Sequence, residues 1–209
     1  MPEPLVDACA EPLPGLSIFD FDGTLTWRDS FVPFLRFAFG NYRFALKMSR
    51  TGLSGVGYLY GAMDRDRMKA RLIRHFLKGV EANWVADKAH AFCEANFTRM
   101  MRPEGLLGVA DELAQGRIVS LCSASPAIVL EPFAKRLGVS LIATELEVVN
   151  GVLTGRINGL NCRRAEKVRR LERAFGALEG RHLRAWGNSS GDTELLAAAD
   201  EAHYQLFNK

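Results

Sequence analysis

A short apolar run, Leu16-Ser17-Ile18-Phe19, leads into Asp20-Phe21-Asp22-Gly23-Thr24-Leu25-Thr26, and the strands it needs as partners do not follow it directly. Pro14-Gly15 precedes the run and Gly23 breaks it, so it reads as a buried strand. From Phe31 to about Met101 apolar residues recur at helical spacing instead, as in Phe31, Phe34, Leu35 and Ala38, and later Met68, Leu72, Ile73 and Phe76. Gly40-Asn41, Thr51-Gly52, Gly55, Gly57 and Gly61 punctuate this stretch and predict joints between helices. Only past Pro103-Glu104-Gly105 does a strand–helix alternation begin. A helix over 106–114 ends at Gly116, and a strand over 118–122 leads to a helix over 127–137, closed by Gly138. Then come a short strand over 141–143 and a hairpin over 145–157 that turns on Asn150-Gly151. A basic helix over 163–175, a strand over 183–186, a helix over 193–199 and a strand over 203–207 complete the chain.

Strands alternating with helices require a parallel sheet covered on both faces. The expected fold class is therefore α/β, a doubly wound, Rossmann-like parallel sheet with an inserted all-helical cap lobe. The α/β core takes 15–30 and 102–209, the cap takes 31–101, and 1–14 is a loose arm. A chain of 209 residues with 48% hydrophobic and 24% charged residues has ordinary globular composition. A net charge of +3, from 27 basic and 24 acidic residues, gives no reason to expect nucleic acid as partner. Cys9, Cys93, Cys122 and Cys162 show no C-x-x-C spacing and suit free thiols in a reducing cytoplasm. The longest uncharged stretch, Thr51 to Met63, is glycine-rich and short of the roughly 20 apolar residues of a membrane span. The acidic, proline-bearing N-terminus does not resemble a signal peptide. A monomer and a homodimer both remain open.

In open α/β sheets ligands bind beyond the carboxyl ends of the strands. The first strand ends at Asp20, Asp22 and Thr24. The second ends in Ser120-Leu121-Cys122-Ser123-Ala124-Ser125-Pro126, Lys167 lies in the basic helix, and a later strand ends in Gly187-Asn188-Ser189-Ser190-Gly191-Asp192. These groups are far apart in sequence and fall on the same predicted edge.

That set, in that order, resembles the haloacid dehalogenase superfamily of phosphohydrolases, and within it the subgroup related to phosphoserine phosphatase, whose helical cap follows the first motif. The resemblance runs from about residue 16 to the end. It implies a Mg²⁺-dependent phosphatase acting on a small phosphorylated substrate, with Asp20 as nucleophile and Asp22 as acid and base. It also implies phosphate contacts from Thr24, Ser123, Ala124 and Lys167. The metal ligands it implies are Asp20, the Asp22 carbonyl and the last motif, where Asn188 replaces the usual first acid and Asp192 stands at the second. Either Asn188 ligates without charge or Asp192 takes over, directly or through water.

The chemistry explains these residue types. A carboxylate can displace the alcohol of a phosphate monoester and divide a hard step into two. A carboxylate pair with separated pKa values serves as nucleophile and acid. A hard cation relieves the repulsion between acids and phosphate, and donors aimed at developing charge supply much of the rest.

Blander readings exist beside these. Asp20 and Asp22 can shape a turn, Ser123 can be a loop serine, Asp192 can cap the helix near Thr193, and the arginines around Lys167 (163, 164, 169, 170, 173) can be a solvated face. His75, His90, His182 and His203 have no metal spacing. In the cap, Asp29 stands where phosphoserine phosphatases hold the substrate amine, Leu77-Lys78-Gly79 is weakly similar to a stretch of theirs, and Arg71 or Arg74 can replace their carboxylate-binding arginine. The aromatic and basic residues between Phe31 and Tyr60 read either as cap core with snorkelling cations or as a surface for anionic lipid, which would suit a phosphatidylglycerophosphate-like substrate. A receiver-like signalling domain, a phosphotransferase and a catalytically weakened phosphate-binding relative are the remaining rivals.

Overall fold

In a computed structural model, which describes residues 13–50 and 65–207, the opening run is strand β1 (Leu16–Phe19) and every residue of it is buried. It lies at the centre of a five-stranded parallel sheet. Its neighbours are β2 (Ile118–Pro126) on one side and β6 (Leu183–Gly187) on the other. Outside these lie β3 (Ser140–Thr144) and β7 (Glu201–Tyr204), giving the order β3-β2-β1-β6-β7. The chain winds outward from β1 through β2 to β3 and then crosses to the other side of β1. A doubly wound sheet binds ligands beside such a reversal.

Side chains alternate across β1. Leu16 and Ile18 join Cys122, Cys162, Leu171, Leu183 and Leu195 on one face. Phe19 joins Val119, Leu121, Val129, Phe133 and Trp186 on the other, with its ring stacked on Trp186 at 4.1 Å. Burial on both faces is the reason for the short apolar runs in the sequence. The sheet is flanked by α4 (Pro103–Ala114), α5 (Ala127–Leu137), α6 (Ala165–Phe175) and α7 (Thr193–Ala197).

The inserted lobe leaves and returns through a paired neck. Thr26 bridges Met101, and hydrogen bonds join Trp27 N to Met100 O and Arg102 N to Leu25 O. Its described helices are α1 (Phe31–Arg50), broken at Gly40 with φ 73°, α2 (Arg65–Leu77) and α3 (Ala82–Met100). The lobe is not a separate module: Phe92 and Phe97 of α3 pack on Phe133 of α5, so cap and core share one apolar cluster. The described part of the aromatic–basic stretch is divided between cap interior and surface, with Phe37, Tyr42, Arg36 and Arg43 exposed. Phe31 and Phe34 are buried, Phe39 and Phe44 pack on Phe76, and the Lys47 ammonium lies 4.9 Å over the Phe39 ring while donating to carbonyls at the end of α2. Tyr58, Tyr60, the glycines at 52, 55, 57 and 61 and the arm up to residue 12 lie outside the described residues.

Two differences from the sequence reading have physical causes. The hairpin β4 (Leu146–Val149) and β5 (Val152–Ile157) forms at Asn150-Gly151 as expected, but it leaves the core sheet and packs on the cap. Its backbone bonds Gly79, Val80 and Ala82, and Gly155 lies so close to α2 that a Cβ there would meet Lys78 at 2.7 Å. The last strand is Glu201–Tyr204 rather than 203–207, because parallel pairing with β6 sets Trp186 opposite His203 and Gly187 opposite Tyr204.

Candidate active site

β1 delivers Asp20 to the carboxyl edge of the sheet, where Phe21–Leu25 forms one wide, irregular helical turn. Gly23 makes that turn at φ 80°, and the Asn188 side chain lies directly over it: a Cβ would meet its amide nitrogen at 2.3 Å. Both facts select glycine there. Asp20 accepts from the Lys167 ammonium at 2.8 Å on one oxygen and from the Thr24 hydroxyl at 3.0 Å on the other. Thr24, expected at the phosphate, thus holds the Asp20 carboxylate with its side chain.

Lys167 lies in the first turn of α6, an end where a cation is disfavoured. It is stabilised there by three acceptors: Asp20, the Cys122 carbonyl at 2.6 Å and Asp192 at 2.6 Å. The turn leading into α6 is strained, with Arg164 at φ 55° and its N–H bonded to Gly191 O at 2.8 Å, so the lysine helix is tied to the loop after β6. Burial alone would depress the Lys167 pKa, but Asp20 and Asp192 hold it well above the ordinary lysine range.

Asp192 stands at the N-terminus of α7 without capping it. One of its oxygens takes Lys167 and the other accepts from the backbones of Asn188 and Ser189 and from the Ser189 hydroxyl. Burial would raise its pKa, and Lys167 and Ser189 hold it below the usual carboxylate range. Both Asp192 oxygens are therefore engaged. The Asn188 amide has no hydrogen-bond partner among the described residues.

β2 contributes Ser123, which is buried, and the half-buried Ala124, whose carbonyl accepts from Thr144. A register shift between Ser123 and Pro126 re-aims the strand end. The Ser125 N–H donates to Ser123 Oγ at 3.1 Å, leaving the Ser123 hydroxyl proton free for an incoming anion.

Asp22 is set apart from this cluster. One oxygen accepts the Ser30 N–H at 2.7 Å and the other accepts the Ser125 hydroxyl, which is itself bonded by Lys69 of α2 at 3.2 Å. Burial and, after it, Asp29 raise the Asp22 pKa, with Lys69, Ser125 and Ser30 pulling the other way. Ser125, Ser30 and Lys69 escaped the sequence reading. The Ser-x-Ser spacing at the end of β2 was a signal for the first, since alternate residues of a strand share a face. Nothing local marked Lys69. The two arginines considered instead lie elsewhere. Arg71 is exposed, and Arg74 lines a groove of about 570 Å³ with Lys78, Val149, Val152 and Arg156. Asp29 accepts from Val32 N at 3.0 Å, capping the start of α1.

The donor set bears on a metal. Asp20 and Asp192 share one fully buried ammonium, and burial pushes Asp20 up to about 6 despite that ammonium, with Asp192 and, more weakly, Asp22 adding repulsion. An excess of hard, anionic oxygen is what a divalent cation relieves. Among the described residues no three His, Cys, Asp or Glu side chains converge on one point. The oxygens on offer here are carboxylate, amide and carbonyl, a kind that Mg²⁺ accepts together with water.

Comparison with known proteins agrees with this fold. Residues 18–197 match the haloacid dehalogenase-like hydrolase family. Protein CicA of Caulobacter vibrioides (strain NA1000 / CB15N) is 39% identical over 199 residues, 94% of this chain and 87% of that protein. The crystal structure of a Bordetella pertussis Tohama I protein of unknown function superposes with a TM-score of 0.72 at 22% identity, over 88% of this chain and 86% of that one. A phosphoserine phosphatase captured as a phospho-aspartyl intermediate analogue gives 0.60 at 18% identity, over 93% and 90%.

Proposed function

The chain belongs to the haloacid dehalogenase-like hydrolases, and on that premise we propose that it hydrolyses phosphate monoesters through an aspartyl-phosphate on Asp20. One observation carries the reading: the Asp20 carboxylate is held against Lys167 at the sheet edge, and Asp22, two residues on, is held apart from it by different partners.

Asp20 attacks phosphorus and the oxygen–phosphorus bond of the ester breaks. The leaving oxygen takes a proton from Asp22. In the second half Asp22 accepts a proton from water, the water oxygen attacks the phosphoryl group, and the Asp20 carboxylate and inorganic phosphate are released. Asp22 is half-buried, and desolvation raises its pKa towards a group able to donate as well as accept. Ser123 donates its free hydroxyl proton to a phosphoryl oxygen, Ala124 offers backbone beside it, and Lys167 offsets the charge that gathers there.

Asp20, the Asp22 carbonyl and the Asn188 amide would hold Mg²⁺. The open amide and the doubly engaged Asp192 favour Asn188 over Asp192 as the last ligand. When bound, the ion neutralises the phosphate and keeps Asp20 ionised. Asp192 then acts through Lys167. The favoured substrate is a small, polar phosphorylated metabolite, because among the described residues the cap presents the Lys69 ammonium to the Asp22 side. The described cysteines are free thiols, in keeping with a cytoplasmic enzyme. No helix among the described residues is long and apolar enough to cross a membrane.

The test is phosphate release from p-nitrophenyl phosphate and from a panel of phosphorylated metabolites and lipid phosphates, with millimolar Mg²⁺ or with chelator. Mg²⁺-dependent release, strongest on small polar substrates, is expected. Release from none of them would sink the reading.

A further inference from the structure

The two oxygens of Asp22 are held by residues of the core, one of which is bonded in turn by the cap. One accepts the N–H of Ser30, the residue that hands the chain into α1. The other accepts the hydroxyl of Ser125, and the oxygen of that hydroxyl accepts from Lys69 on α2 at 3.2 Å. A lysine ammonium only donates. It therefore occupies a lone pair of Ser125 Oγ and leaves the serine proton to point at Asp22. The same residue's backbone N–H fixes Ser123 at 3.1 Å, so Ser125 joins the acid/base carboxylate to the phosphate loop. Asp20, in contrast, is held by Thr24 and Lys167, both outside the cap.

The first turns of α2 are latched to the core beside Lys69. Asp66 accepts from Asn161 at 2.6 Å and from Arg163 at 3.3 Å, and Arg163 also reaches Ser190 in the loop after β6. Lys69 is therefore in place when α2 is seated on two core segments, the end of β2 and the 161–163 turn, and the second is tied by Arg163 to the loop after β6.

We propose that Lys69 and Ser125 are positioning residues that make the orientation of Asp22 depend on the seated cap, whereas the nucleophile is held by the core alone. This rests on Asp22 being the acid and base of the proposed hydrolysis. If α2 lifts, Ser125 loses the donor that fixes its proton and its grip on Asp22 becomes one of several rotamers. Nothing around Asp20 changes.

The test is a double-mutant cycle on p-nitrophenyl phosphate and on an alkyl phosphate, with kcat and KM measured for the parent, Lys69→Met, Ser125→Ala and the pair. Each single change is expected to lower kcat on the alkyl phosphate about 10- to 100-fold, with KM within about threefold. The double variant falls no further than the worse single, because the residues act as one unit. The aryl phosphate, whose leaving group needs little protonation, loses less, and Lys69→Arg regains part of the activity.

Losses that multiply in the double variant would overturn the proposal. So would a Lys69→Met enzyme with parental kcat and raised KM, since Lys69 would then bind the leaving group instead. If Ser125→Ala does not fold, Lys69→Met and its arginine rescue decide, on a half-buried side chain. A parent that releases no phosphate removes the hydrolase reading itself. A parent that does, beside unaffected variants, removes only this proposal.

Discussion

Asp20 and Asp22 leave the same strand two residues apart and come to rest in different parts of the molecule. Asp20 faces inward, against a buried ammonium that is itself locked to Asp192 and to the Cys122 carbonyl. Asp22 faces the neck of the inserted lobe and is gripped by Ser30 and by Ser125 under Lys69. Spacing brings two carboxylates to one sheet edge, but it does not give them one environment. Chemistry that needs a nucleophile and a separate proton carrier depends on that inequality. Here it is set by what stands behind the hydrogen-bond donors: Asp20 is held within the core, whereas Ser125, which holds Asp22, is itself bonded by Lys69 of the cap.

The comparison breaks most visibly at Asp20. Asp20→Asn keeps the shape and the acceptor for Lys167 but removes the proposed nucleophile, so turnover on p-nitrophenyl phosphate is expected to fall at least about 1000-fold while the circular dichroism spectrum is unchanged. Turnover within tenfold of the parent would mean that Asp20 is not attacked.

The same substitution sharpens the electrostatic side. The Asp20 carboxyl is raised from 3.8 to about 6 by burial, so the folded metal-free protein binds that proton more tightly than the unfolded chain. Folded protein then carries the excess proton between pH 4 and 6, and stability falls as pH rises through that window. Asp20→Asn is expected to melt higher than the parent at pH 7 in chelator, by about 1–3 kcal/mol, and no higher at pH 4. Added Mg²⁺ should close the gap. A variant less stable than the parent at both pH values would show that the ammonium, not burial, dominates at Asp20.

The divided site also shows what the sequence made legible. The sheet and the strand-end residues could be read because each leaves a local mark: short apolar runs, Gly23 at a tight turn, an acid where a strand stops. Ser125 left half a mark, in its spacing from Ser123. Lys69 left none, since it is a cap residue whose partner lies 56 positions away and only packing brings them together. The hairpin was legible as a hairpin but not as part of the cap, because its seat on α2 depends on close approach at Gly155 rather than on its own pattern. The choice between Asn188 and Asp192 was open for the same reason: only the fold shows both Asp192 oxygens already taken.

That choice gives a smaller effect. If Asn188 supplies an amide oxygen to the ion, Asn188→Asp adds charge to the ligand set and lowers the Mg²⁺ concentration for half-maximal activity about tenfold, and Asn188→Ala raises it by a similar factor. Asp192→Asn should instead lower kcat through Lys167, with little change in the Mg²⁺ requirement. A Mg²⁺ titration that shifts for Asp192→Asn and not for either Asn188 variant would reverse the assignment.

The smallest effect lies at Arg74, and it marks how far the cap's influence extends. Arg74 is one helical turn and a little more beyond Lys69, so at about 1.5 Å per residue it sits some 7–8 Å further along α2. It lines the groove shared with Lys78 and the hairpin, not the Asp22 side of the site. A cationic side chain there complements the carboxyl end of its helix, and an exposed residue of that kind contributes little to stability. Arg74→Ala is therefore expected to leave kcat and KM on p-nitrophenyl phosphate within about twofold, while Lys69→Met on the same helix does not. If Arg74→Ala proved the more damaging of the two, the division of labour along α2 would be the reverse of the one drawn from the hydrogen bonds. The hairpin groove, rather than the Ser125 contact, would then be the cap's route into the site.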